Sequence, residues 1–87
     1  MVRFNDKDYI YEKIDDCSII LEVSTQDVFL LNVTSDYIIN ELLDQKSIEK
    51  IISQHWHKNQ TTNYDTIYED FVDIKKILFE KGILYEY

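Results

Sequence analysis

Val28-Phe29-Leu30-Leu31-Asn32-Val33-Thr34-Ser35-Asp36-Tyr37-Ile38-Ile39 is the stretch in which the hydrophobic period of this sequence changes. Its first four residues are a short apolar run rich in β-formers, read as a strand. From Thr34 onward the period is helical. Thr34 or Ser35 can cap a first helix, Asp36 suits the positive end of its dipole, and Ile38, Ile39, Leu42 and Leu43 make one stripe. A strand that gives way to a helix within a few residues divides the chain into a β half and an α half.

Upstream, two further segments alternate with period two. Ile10, Glu12 and Ile14 alternate with Tyr9, Tyr11 and Lys13, and Cys17, Ile19, Leu21 and Val23 share one face of the next segment. The polar cluster Ser24-Thr25-Gln26-Asp27 turns the chain into the third strand, and connections this short predict an antiparallel meander with the second strand in the middle. On this face assignment Cys17 is a small buried hydrophobe.

Downstream, the first helix ends near Asp44-Gln45-Lys46, and Ser47 can cap a second helix carrying Ile48, Ile51, Ile52 and Trp56 on one side. The polar stretch from Lys58 to Asn63 breaks that pattern. Ile67, Phe71, Ile74 and Leu78 then recur at three and four, predicting a longer third helix from Thr66 or slightly earlier. Gly82 fits its left-handed C-terminal cap, with Ile83 placed to touch Leu78. The whole reads as one α+β domain over residues 1–87, three antiparallel strands followed by three helices on one side of the sheet.

Composition removes several functions. With one glycine and no proline, neither a P-loop nor a dinucleotide-type glycine cradle can be built. Seventeen acidic residues against nine basic ones give a net charge of -8, which repels a phosphate backbone, so no nucleic acid is expected as partner. No apolar run is long enough for a membrane span, and a lone cysteine without an N-terminal signal core points to the cytoplasm. His55 and His57 are two apart and do not share a helix face, so no metal or other cofactor is expected.

Leu31-Asn32-Val33-Thr34, then Ile38, Leu42-Leu43-Asp44, Ile51-Ile52, Asp70-Phe71, Ile74, Leu78 and Gly82-Ile83-Leu84 resemble, in this order, the PqqD-like family, also called RiPP recognition elements. The resemblance spans roughly residues 10 to 85. It departs from the family pattern at Gln45, where a glycine is usual, at Ser47 for a threonine, at Ile74 for an aromatic and at Lys75 for an apolar residue. It implies a winged-helix-like fold that binds the leader segment of a ribosomally made precursor peptide and presents it to modifying enzymes, with no catalysis of its own. In such domains the leader adds as a strand to the edge of the third strand, in a groove walled by the third helix. The maturation partner is then a lasso-type protease or a radical-SAM maturase.

An apolar edge strand beside an amphipathic helix is, on physical grounds alone, a template for strand addition. The expected peptide-binding residues are Val28, Phe29, Leu30 and Leu31 on the strand and Tyr68, Phe71, Ile74, Lys75 and Leu78 on the third helix. Lys75 is expected at the groove mouth, where its ammonium would meet a leader carboxylate. The same free edge could pair with a second copy, so the chain is expected as a monomer or an edge-paired homodimer. The rival reading is a winged-helix DNA-binding or protein-interaction regulator. Its recognition helix should be basic, whereas the third helix sets Glu69, Asp70, Asp73 and Glu80 against Lys75, Lys76 and Lys81. A small enzyme ranks last for want of a nucleophile-base pair or a metal motif.

Overall fold

The computed structural model describes residues 1–15, 17–58 and 63–87. The element order is β1 (Val2–Phe4), β2 (Tyr9–Ile14), β3 (Cys17–Glu22), β4 (Val28–Leu31), α1 (Val33–Leu43), α2 (Ile48–Lys58), α3 (Tyr64–Glu80) and β5 (Leu84–Glu86). The antiparallel meander β2-β3-β4 forms with β3 in the centre, as the short connections require. The expected break after Lys58 falls largely on residues 59–62, which lie outside the described residues.

A second, two-stranded sheet was not legible in the sequence. β1 pairs antiparallel with β5, with Val2 opposite Glu86 and Phe4 opposite Leu84. The Asn5 amide extends the pairing by donating to the Ile83 carbonyl at 2.9 Å. Each strand is three residues long, too short to show a period, and the pairing joins the two ends of the sequence.

The inward face of β3 is the reverse of the sequence reading, and β2 turns Tyr9 rather than Ile10 and Ile14 inward. Tyr9, Ser18 and Ile20 are buried, whereas Ile10 and Ile14 are about half exposed and Cys17 is exposed. β3 is apolar on both faces through Ile19, Ile20 and Leu21, so alternation alone could not choose the inner one. Ser18 is accommodated inside because the Tyr11 hydroxyl lies 3.4 Å from its own, while that hydroxyl donates to the Asp36 carboxylate. This face packs on the helices in one core that includes Ile20, Ile38, Ile39, Leu42, Ile51 and Ile52.

The helix caps place the elements around the site. Asn32, rather than Thr34 or Ser35, caps α1, its side-chain oxygen accepting from the Ser35 amide at 2.8 Å. Ser47 caps α2 as its sequence suggests, accepting from the Lys50 amide at 3.2 Å. Asn63 caps α3, accepting from the Asp65 amide at 2.8 Å. At the far end of α3, Gly82 takes φ +74°, the Ile83 amide donates to the Leu78 carbonyl at 3.0 Å and the Gly82 amide to the Phe79 carbonyl at 3.1 Å. This is the Schellman turn that the Gly82-Ile83 pair foretells.

The same turn closes α1 without a glycine. Gln45 adopts φ +65°, its amide donating to the Leu42 carbonyl at 3.0 Å and that of Lys46 to the Glu41 carbonyl at 3.3 Å. A side chain in this conformation costs about 1 kcal/mol. Gln45 offsets the cost by hydrogen-bonding β1: its Oε1 accepts from the Val2 amide at 2.8 Å and its Nε2 donates to the Val2 carbonyl at 2.9 Å.

Candidate functional site

Among the described residues β4 is an edge strand, with β3 on one side and no strand on the other. Because side chains alternate along it, Phe29 and Leu31 turn inward and are half-buried, while Val28 and Leu30 turn outward and are 56% and 78% exposed. Across from the inward pair stands α3. Ile74, Ile77 and Leu78 on the helix and Lys81 at its C-cap recur at three, four and seven and so continue one stripe.

Between strand and helix runs an apolar groove of about 140 Å³, lined by Phe29 and Leu31 on one wall and by Ile74, Ile77 and Leu78 on the other. Ser35 of α1 and Ile83 of the Schellman turn complete it. Lys81 bounds one end, its ammonium 5.2 Å from the centre of the Phe29 ring. The hydroxyl of buried Tyr9 holds the backbone there, donating to the Lys81 carbonyl at 2.6 Å. Burial, followed by the nearby carboxylates of Glu22 and Asp8, raises the pKa of that hydroxyl.

Toward the start of α3 the groove opens into a larger recess of about 450 Å³. Ile74 lines both, so the two lie side by side along α3 and are together called the trough. The recess is walled by Asn32 and Thr34 at the start of α1, by His55 of α2, and by Asp70, Phe71 and Asp73 of α3. Phe71 is 2% exposed and packs its ring 5.0 Å from that of His55. It therefore serves the core and the recess floor at once.

Of the residues expected from the sequence, Phe29, Leu31, Ile74 and Leu78 meet in the groove and Phe71 lies beneath its continuation. Val28 and Leu30 contribute backbone along the edge, with their side chains on the outer face of the sheet. Tyr68 lines neither part of the trough. It is 41% exposed and stacks on Tyr64 with ring centres 6.5 Å apart.

Lys75 is placed away from the groove mouth, correcting the expectation. It lines a separate recess with Val2, Gln45, Ser47 and Glu86, and its ammonium lies 5.8 Å from the centre of the Phe79 ring. One residue of helix turns the side chain by about 100°, enough to carry it from the groove stripe to the β1 side. The lysine at the groove end is Lys81, which the spacing Ile74, Ile77, Lys81 could have revealed.

Among the described residues no group of three histidine, cysteine, aspartate or glutamate side chains is placed to hold a metal ion, and no helix is long and apolar enough to cross a membrane.

No family model and no curated protein matches the chain. Two solved structures do resemble it. A TbiB1 chain in complex with the TbiA(beta) leader peptide superposes with a TM-score of 0.76 at 24% identity, covering 98% of this chain and 96% of that one. A lasso peptide synthetase B1 complexed with the leader peptide gives a TM-score of 0.79 at 19% identity, covering 98% of both chains. At this identity the likeness speaks for the fold, and it does so over nearly the entire length. The α+β architecture of an antiparallel sheet followed by three helices, implied by the resemblance to the PqqD-like family, is therefore the fold this chain shares with two leader-bound B1 proteins.

Proposed function

We propose that this chain binds the leader segment of a ribosomally synthesised precursor peptide by β-augmentation, in the groove between β4 and α3, and presents it to a maturation enzyme. The observation that carries this is the free edge of β4 facing an apolar groove of its own. An extended peptide laid along Val28–Leu31 gains backbone hydrogen bonds from the edge. Every second side chain then enters the groove against Phe29, Leu31, Ile74 and Leu78. Both of the similar solved structures hold a leader peptide, which supports the same ligand class here.

In this reading the protein carries its peptide unchanged, and the chemistry belongs to the partner. Of the two enzyme classes, the lasso-type protease is favoured over a radical-SAM maturase, because one of the two similar structures is a lasso peptide synthetase B1. The peptide is preferred to nucleic acid because of the net charge of -8. A second copy pairing along β4 would compete with the leader for one edge, so leader binding favours the monomer.

The test is a titration of the purified protein against the leader of a precursor encoded beside it. A dissociation constant between about 10 nM and 10 μM is expected for a short peptide that orders as it binds. Binding of a duplex DNA with sequence preference at physiological salt, and none of the leader, would reverse the assignment.

A further inference from the structure

The trough is chemically polar along its length. At one end stands Lys81, against the Phe29 ring. At the other, exposed Asp70 and Asp73 border the recess. Neither aspartate nor Lys81 joins an ion pair among the described residues. The direction of the chain follows from which residues meet. Phe29 lies by Lys81, Leu31 and Ser35 share the groove with Ile74, and Thr34 shares the recess with Asp70. β4 therefore runs opposite to α3.

A peptide added antiparallel to β4 runs parallel to α3, so its N-terminal side lies by Asp70 and Asp73 and its C-terminal side by Lys81. Resting on the leader-binding reading above, we infer that the trough selects peptides by the order of their charges. The favoured segment has basic residues first, alternating apolar residues next, and an acidic residue last. The spacing follows as well. Eight to eleven residues of helix separate Asp73 and Asp70 from Lys81, about 12 to 16 Å at the helical rise, which is the reach of roughly four or five residues of extended strand.

The overall negative charge attracts any basic peptide, so the test holds composition fixed and changes order only. Three capped peptides share a central Thr-Leu-Thr-Leu-Thr segment. One has Lys-Lys before it and Glu-Glu after it, one has these ends exchanged, and one has Gln-Gln at both ends. Binding is followed by an amide NMR titration at Val28–Leu31. At low salt the lysine-first peptide should bind at least about tenfold more tightly than the glutamate-first one, and the ratio should fall below about threefold near 0.5 M salt. Combined Asp70→Asn and Asp73→Asn substitutions, or Lys81→Gln, should each reduce the ratio.

Equal affinity of the two charged peptides, or a preference that survives in all these variants, would overturn the charge-order inference while leaving the groove reading intact. If none of the three peptides, the neutral one included, perturbs Val28–Leu31, both are overturned.

Discussion

The Gln45 side chain hydrogen-bonds both backbone groups of Val2, taking its amide at 2.8 Å and giving to its carbonyl at 2.9 Å, from a residue that itself sits at φ +65°. This ties the end of α1 to β1, and through β1 to β5. It also explains why a glutamine can stand where the resembling family has a glycine: the conformational cost is offset by two hydrogen bonds that a glycine could not make.

Stability should therefore rank glutamine above glycine above alanine at this position. Gln45→Ala keeps the left-handed strain and loses both bonds, and should cost about 1 to 2 kcal/mol. Gln45→Gly loses the bonds but relieves the strain, and should recover about 1 kcal/mol of that loss. Denaturant midpoints of the three proteins check the order. A glycine variant more stable than the wild type would show that the clamp contributes little.

Cys17 lies on the outward face of β3, so it should react in the native state. A disulfide-exchange reagent should titrate one thiol per chain without denaturant, at a rate within about tenfold of that in the unfolded protein. A thiol silent until unfolding would restore the face assignment expected from the sequence.

That assignment shows where the sequence is legible and where it is not. The three helices and their order follow from stripes such as Ile67, Phe71, Ile74 and Leu78, and the cap at Gly82 from the hydrophobic residue after it. β3 reads as a strand without revealing its inner face, since Ile19, Ile20 and Leu21 are apolar in succession and polar Ser18 is the buried neighbour. Of the candidate site, the groove walls were legible because strand and helix periods name Phe29, Leu31, Ile74 and Leu78. Lys75 was misplaced by a single helical step, and the recess beside Asp70 depends on how α1, α2 and α3 meet, which no local pattern encodes.

The stability of the protein should fall in alkaline solution. Burial raises the pKa of Tyr9 and of Tyr37, with the carboxylates of Glu22 and Asp8 adding to the first and Glu41 to the second. Below about pH 10 both tyrosines are neutral in the folded and unfolded states and their contribution is complete. As pH rises past that point the unfolded chain ionises first, so stability is lost progressively up to the raised folded values. Thermal midpoints measured from pH 8 to about pH 11.5 should show this fall. Tyr9→Phe should shallow it, at a cost near neutrality of about 1 kcal/mol for the lost hydrogen bond to the Lys81 carbonyl.

Ile74 lines both the groove and the recess. Ile74→Glu should weaken binding of a leader peptide at least about tenfold, because a carboxylate there must be desolvated wherever the peptide covers it. Leu30→Glu, on the outward face of β4, should leave affinity within about threefold, since the edge supplies backbone rather than that side chain. Equal losses in the two variants would mean that the outer face of the sheet takes part in binding.

The central claim, that β4 receives the leader as an added strand, is tested most directly by backbone amide exchange across Val28–Leu31 with and without the leader of a neighbouring precursor. The account predicts slower exchange at edge-facing amides of these four residues at saturating peptide. Leader binding that leaves β4 unprotected, with the slowing confined to the outer face of β2 or to the β1-β5 pair, would contradict it.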